Sequence, residues 1–369
     1  MKDSSVEKIR KQVLDFFVSH GYQKRMPAPL VHERFPRTFN PSAGDVELFY
    51  LLEKGPPTNK RVSFVVLGHC IRSVDIEKVG YNIYLSLFDM STAFHVLNRP
   101  INSHEVLLER EKVFNEIYEF FTNTCSIPPH KLLITVFEGG EVGGEKIQFD
   151  KKSVDIWKHI SNNKINILSL GEQENFLFPQ ENGELAGVRY EIYCNLEGIT
   201  EHPKWIELGT VETLGYKVKY ERGKYYLVPI DFSVIGTAVG IERLAMVLQR
   251  ANTIYDTDEI RQIKESISTF INNKLKEELF TTQLNIIADH IRAIVLAIED
   301  GQLPDNTSRG KILKKLIRRL IRSSNSLGIN KRNFYNLLVD TVYRIYKLPY
   351  NAYKVENIIN EILRRGGQN

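Results

Sequence analysis

Arg243 closes the run Ile235-Gly236-Thr237-Ala238-Val239-Gly240-Ile241-Glu242-Arg243. A guanidinium offers five donors in a planar fork, a geometry that grips phosphate. After Gly240 the spacing predicts a helix, because Ile241, Leu244, Ala245 and Leu248 fall at i, i+3, i+4 and i+7. A helix start carries unpaired N–H groups and a partial positive charge, which also favour an anion. Arg72 is a second candidate. It follows the β-branched and aromatic run Arg61 to Leu67 and precedes the strand-like run Tyr84-Leu85-Ser86-Leu87-Phe88-Asp89-Met90. Two such strands joined by a charged loop form an antiparallel hairpin, with Arg72 and Phe88 on neighbouring strands. A cation for a phosphate and an aromatic face for a base are what a nucleotide requires. Glu207, within the strand-like run Trp205 to Thr213, adds an acid suited to a metal or a ribose. Alternation places Glu207, Gly209 and Val211 on one face and Leu208, Thr210 and Glu212 on the other. Each feature also has a purely structural reading: a glycine turn feeding a core helix, a core hairpin with one snorkelling arginine, and a solvated edge strand.

The elements that must hold these residues fall into two groups. In residues 1–250, Val6 to Phe17 reads as a helix and Glu47 to Leu52 as a strand. A helix is expected from Asn102, capped by that residue, and a strand over Leu132 to Phe137. Glu138 to Gly144 reads as a flexible loop and Val154 to Ile160 as a short helix. Tyr190 to Cys194 is a strand. Tyr216 to Tyr220 and Tyr225 to Ile230 form a hairpin, so the Arg243 region reads strand, glycine-bearing turn, helix. Many strands with hairpin connections favour an antiparallel sheet flanked by helices over a parallel one. From residue 251 on, helical patterns run Asp258–Asn272, Thr281–Asp300, Ser308–Ser323, Lys331–Tyr346 and Ala352–Arg365. The third is the most informative. Ile312, Leu313, Leu316, Ile317, Leu320 and Ile321 make one stripe, and Lys311, Lys314, Lys315, Arg318, Arg319 and Arg322 the other. No acid interrupts the basic stripe, which points to an anionic partner, nucleic acid above a membrane or an acidic protein.

The 369 residues allow two domains, and 42% hydrophobic with 25% charged is an ordinary globular composition. Residues 251–369 hold 19 Lys+Arg against 13 Asp+Glu, so the basic excess lies in the C-terminal third. Cys70, Cys125 and Cys194 are too scattered for a zinc pattern or a disulfide framework, and a reducing compartment is expected. No signal peptide pattern and no long apolar run is present, so the expected location is cytoplasmic, away from membranes.

With these pieces placed, the chain resembles the alanyl-tRNA synthetases. The longest match is Ile287-Ala288-Asp289-His290-Ile291-Arg292-Ala293, Glu299-Asp300-Gly301-Gln302-Leu303-Pro304-Asp305-Asn306, Arg309-Gly310 and Leu313-Lys314-Lys315-Leu316-Ile317-Arg318-Arg319. Cys70 to Gly80 with Phe88-Asp89-Met90 is similar to the class II motif 2, and Gly240-Ile241-Glu242-Arg243 to motif 3. Motif 1 maps loosely to Arg10–Pro36. The resemblance implies an α+β fold: a class II antiparallel sheet flanked by helices over 1–250, followed by an all-α tRNA-recognition domain over 251–369, with no editing domain. It implies activation of a small amino acid with ATP and Mg2+, then transfer to tRNA. Arg72 and Arg243 would be catalytic, holding the α- and γ-phosphates. Phe88 would stack on adenine with Asp75 and Asp89 beside it. Gly240 would line the ATP site, and Glu207 would bind magnesium or ribose. Asn306, Arg309, Lys314, Lys315, Arg318 and Arg319 would meet the tRNA acceptor stem or a tRNA-like RNA.

The amino-acid pocket departs from the family. The aspartate that holds the substrate ammonium is Gly236, and the tryptophan after Asn-Phe is Leu177. A buried ammonium without a counter-charge is costly. Glu212, on the face of Thr210, or Asp231 would have to supply the missing carboxylate, unless the substrate differs. Three functions follow: a tRNA ligase of altered specificity, a silent RNA-binding paralogue, or a ligase with a non-tRNA acceptor.

Overall fold

The computed structural model describes residues 4–58, 61–81, 83–197, 205–271, 277–329, 331–349 and 351–366. Asn272, the end of an expected helix, lies outside them. In α1 (Val6–Ser19) the periodic residues Val6, Ile9, Val13, Phe16 and Phe17 are all buried. The short β1 (Gln23–Lys24) pairs parallel with β2 (Arg61–Ile71). Between them lies α2 (Asp45–Glu53), where the apolar run had suggested a strand. Gly44, in the left-handed region at φ 89°, turns the chain into this helix, and Asp45 and Glu47 meet the positive end of its dipole. A short apolar run cannot separate a buried strand from a buried helix by periodicity.

The central strands are β2, β3 (Leu87–Leu97), β9 (Leu185–Asn195), β10 (Trp205–Glu221) and β11 (Lys224–Gly240). With β4 (Leu132–Phe137), β7 (Asn166–Leu170) and β8 (Phe176–Leu177) they form a nine-stranded sheet in the order β1-β2-β3-β11-β10-β9-β4-β7, with β8 on β9. The pairs β1/β2 and β4/β7 are parallel and the rest antiparallel, so the sheet is mixed with an antiparallel centre. Residues 235–240 are not a turn. They continue β11 between β3 and β10, and the chain passes directly into α6 (Ile241–Gln249). The loop expected over 138–144 carries half of a small hairpin, β5 (Gly140–Val142) and β6 (Glu145–Ile147). Helix α3 (His104–Glu119) is capped by Ser103, whose side chain accepts from the Val106 N–H, rather than by Asn102.

Helices α4 (Lys151–Ile160) and α5 (Glu172–Asn175) flank the far strands. The C-terminal region is helical: α7 (Asp258–Ser268), α8 (Glu277–Glu299), α9 (Ser308–Ser326), α10 (Arg332–Ile345) and α11 (Ala352–Gly366). It is bolted to the sheet through polar groups. Asp289 of α8, fully buried, accepts from the backbone N–H of Ser86 at 2.9 Å. Arg292, also buried, pairs with Glu242 of α6 at 2.9 Å, and Glu242 accepts from the Asp89 N–H at 2.8 Å. Among the described residues no helix is long and apolar enough to cross a membrane.

Candidate active site

Side chains alternate across a strand, so each cross-strand row of the sheet presents one set to a single face. Phe94 of β3, Gly236 of β11, Glu212 of β10 and Arg189 of β9 are register partners in one row. Thr92, Ala238, Thr210 and Glu191 form the next. Together they floor a cavity of ≈ 340 Å³, a volume ordinary for a small-molecule site. Along the same face of β3, Met90 and Phe88 extend the floor toward Arg72.

The structure brings Arg72, Asp75, Phe88, Gly240 and Arg243 to one end of this cavity wall. Arg72 is exposed and lies 5.0 Å from the Phe88 ring centroid, the juxtaposition expected of the hairpin. Its Nε makes one long hydrogen bond, 3.3 Å to the Pro41 carbonyl. Asp75 is tied to Lys78 at 3.1 Å. Arg243, in the first turn of α6, pairs with Glu207 at 3.0 Å. Simple alternation put Glu207 on the face opposite Thr210 and Glu212, yet all three line the cavity. A β-bulge between Glu207 and Gly209 shifts the register and brings Glu207 to the cavity side.

Two expected site residues do not reach the cavity. Asp89 sits between Phe88 and Met90 and so points to the other face of β3. There it is fully buried, bonded to His69 Nδ1 and to Arg10 Nε of α1. Burial alone would raise its carboxyl, but the neighbouring His69 and Arg10 charges hold it well below the usual range. Leu177, at the end of β8, pairs with Gly187 and packs beside Leu214, away from the cavity lining. Asp231 is exposed and outside the cavity, so of the two carboxylates expected to replace the one missing at Gly236 only Glu212 is in place. It is the direct β10 partner of Gly236. A Cβ on Gly236 would stand 3.0 Å from Cε1 of Phe94, so the phenyl ring fills the space beside the glycine.

Asp45, which the sequence reading passed over, also lines the cavity. It accepts from Ser42 Oγ at 3.3 Å, and burial, then the nearby Glu212, push it up to about 7. Glu212 is raised by burial. Glu191 is pushed up to about 8 by burial and then by Glu207, and its Oε2 is buried without a partner. No group of three or more His, Cys, Asp or Glu side chains that could hold a metal exists among the described residues. Glu207 beside the orphaned Glu191 oxygen does fit a magnesium ion that draws most of its ligands from phosphates and water.

The expected RNA-binding residues lie on or just before α9. Arg318 is exposed, and Lys314 donates to Asn306 Oδ1 at 2.6 Å. The other three are engaged within the protein. Arg309 donates to the carbonyls of His32 and Phe35 at 2.9 and 3.0 Å. Lys315 and Arg319 both pair with Glu77, at 2.7 and 2.5 Å. The basic stripe thus has an acid after all, supplied from the segment that follows Arg72.

A profile of the tRNA synthetases class II (A) matches residues 8–367. The alanine–tRNA ligase of Borreliella afzelii (strain PKo) is 31% identical over 365 residues, covering 94% of this chain and 58% of that protein. The alanine–tRNA ligase of Elusimicrobium minutum (strain Pei191) is 30% identical over 357 residues, covering 91% of this chain and 37% of that protein. The chain therefore spans between 37% and 58% of the length of these relatives.

Proposed function

The chain belongs to the class II tRNA synthetases, and from that premise we propose that it activates an amino acid with ATP and passes it to a tRNA or tRNA-like RNA. The observation that carries this reading is the convergence of Arg72, Phe88, Glu207 and Arg243, from separate stretches of sequence, on one cavity wall. In the first step a carboxylate oxygen of the amino acid attacks the α-phosphorus of ATP. The bond to the bridging oxygen breaks and pyrophosphate leaves. No proton is transferred, so the step requires neutralisation of phosphate charge and in-line placement rather than an acid or base. Arg72, weakly held, takes the α-phosphate. Phe88 offers its ring to the adenine once that arginine has moved. Arg243 takes the far phosphate end, its guanidinium oriented by Glu207. Bound magnesium would offset phosphate charge, with Glu207 as its protein ligand. In the second step a ribose hydroxyl of the RNA end forms an ester bond at the acyl carbon, the bond to AMP breaks, and the hydroxyl proton leaves on the AMP phosphate.

The ammonium of the substrate falls to Glu212, one strand over from Gly236. Residues 1–250 form the activating domain and 251–369 the RNA-recognition domain, with Arg318 and the Lys314–Asn306 pair presented outward. Pyrophosphate exchange measured over all amino acids, with and without tRNA, tests the reading. Exchange with one amino acid, followed by RNA charging, is expected. Exchange with none refutes the activation chemistry and leaves an RNA-binding protein. Exchange without charging of any tRNA moves the acceptor to another molecule.

A further inference from the structure

The end of the cavity away from Arg72 and Arg243 carries more negative charge than one ammonium needs. Glu212 and Asp45 both line it, and neither forms an ion pair among the described residues. The two nearby cations are committed elsewhere. Arg189 is ion-paired with Glu191, Nε to Oε1 at 2.8 Å, and donates from Nε to the Glu174 carbonyl at 3.3 Å and from its fork to the carbonyls of Glu174 and Gln173 at 3.1 and 3.4 Å. Arg34 grips both oxygens of Glu184 at 2.9 and 3.0 Å and lies 4.1 Å from the Phe49 ring centroid. Half-buried carboxylates left unpaired either hold a proton or are completed by a cation, and a cation that enters displaces the proton.

We infer that this end of the cavity binds an amino acid with two positive charges, the α-ammonium on Glu212 and a short side-chain cation on Asp45. The inference rests on the ligase reading for the direction of the substrate, with its carboxylate toward Arg72, and on the uncompensated carboxylates for its charge. Asp45 follows Gly44, which packs on Thr92 and Phe94, and Glu212 stands in the Phe94 row of the sheet, so few atoms separate the two cations. That favours 2,3-diaminopropionate or 2,4-diaminobutyrate over lysine. Three features keep Asp45 at the wall. Gly44 packs so closely that a Cβ there would meet Thr92 Oγ1 at 2.1 Å, Thr92 Oγ1 donates to the Ala43 carbonyl at 2.5 Å, and Ser42 bonds Asp45 itself.

Calorimetric titration of the full chain with 2,4-diaminobutyrate, 2,3-diaminopropionate, lysine and norvaline tests it. Norvaline is the uncharged isostere of 2,4-diaminobutyrate. A charge-assisted hydrogen bond predicts that a short diamino acid binds about 10- to 100-fold tighter than norvaline. Asp45→Asn should lower that ratio at least about tenfold by the same measure, and Asp45→Ser serves if the asparagine variant fails to fold. Equal binding of norvaline, a ratio untouched by both Asp45 variants, or binding of no diamino acid overturns the inference. Pyrophosphate exchange on the same panel separates it from the ligase reading. Selective diamino binding without exchange sinks the activation chemistry alone, and exchange with a neutral amino acid only sinks the two-cation site alone.

Discussion

Removing the carboxylate of Asp289 should weaken both the fold and the nucleotide site, because it ties the helical region to the strand that carries Phe88. Asp289 is fully buried. It accepts from the Ser86 N–H at 2.9 Å, from Ser86 Oγ, and from the Leu87 N–H at 3.5 Å. His290 Nδ1 lies 2.9 Å from its other oxygen. Arg319 Nε donates to His290 Nε2 at 3.0 Å, which leaves the imidazole proton on Nδ1, directed at Asp289. Hydrogen bonds to a charged group contribute about 1.5–3 kcal/mol each, and a stranded buried donor costs about 1–3 kcal/mol. Contacts in one network do not add, so Asp289→Ala should cost about 3–5 kcal/mol, less than the sum of the lost charge-assisted bonds and the stranded donors. Asp289→Asn keeps the shape but sets an N–H2 against donors, and about 2 kcal/mol is expected on the same scale. Urea unfolding of both variants measures this. Since Ser86 and Leu87 lead into Phe88, the surviving folded variants should also bind ATP several-fold more weakly. Unfolding free energies within about 0.5 kcal/mol of the parent, the scatter of ordinary surface changes, would refute the anchoring role. A loss of stability with unchanged ATP affinity would refute the coupling to Phe88.

Gly236→Asp, which supplies the carboxylate that the resemblance to the alanyl-tRNA synthetases leads one to expect, should not raise alanine-dependent exchange. Its Cβ meets Phe94 at 3.0 Å, an overpacking cost of about 1–3 kcal/mol, and thermal unfolding should recover in Gly236→Asp/Phe94→Leu. His95 is 1% exposed, and burial, then Arg61 and Lys112, push its pKa down from 6.5 to about 3. The unfolded chain therefore binds this proton first as pH falls. The stability that neutral His95 contributes is full at pH 7 and lost from pH 6.5 down to about 3, on the order of 5 kcal/mol at most. Urea midpoints across that range should flatten in His95→Gln. Glu77→Gln should tighten binding of a tRNA acceptor stem at low salt by freeing Lys315 and Arg319, and Arg318→Ala should weaken it with a salt slope smaller by about 1. A filter-binding salt titration reads both, and an unchanged slope in Arg318→Ala would remove that residue from the RNA contact.

What could be read from the chain alone was whatever one strand, one helix or one motif determines. Arg72 beside Phe88 follows from a hairpin, and Arg243 at the head of α6 follows from helical spacing. The rest depended on contacts between distant segments. A single bulged residue between Glu207 and Gly209 decides which face Glu207 serves, and alternation carries no signal of it. Asp89 shares a motif with Phe88 but not a face, and its real partners, His69, Arg10 and Glu242, are twenty or more positions away. The basic stripe of α9 reads as free of acids because its counter-charge, Glu77, lies far upstream. Asp45 was hidden twice, just ahead of a run that fits strand or helix equally well and opposite a strand whose pairing no local pattern records. Three of the carboxylates that line the cavity, Asp45, Glu191 and Glu212, therefore come from three elements, α2, β9 and β10. A missing aspartate at Gly236 is visible in sequence as a loss. Only the register of β10 on β11 reveals that another carboxylate, Glu212, stands opposite the glycine, with Phe94 filling the space beside it.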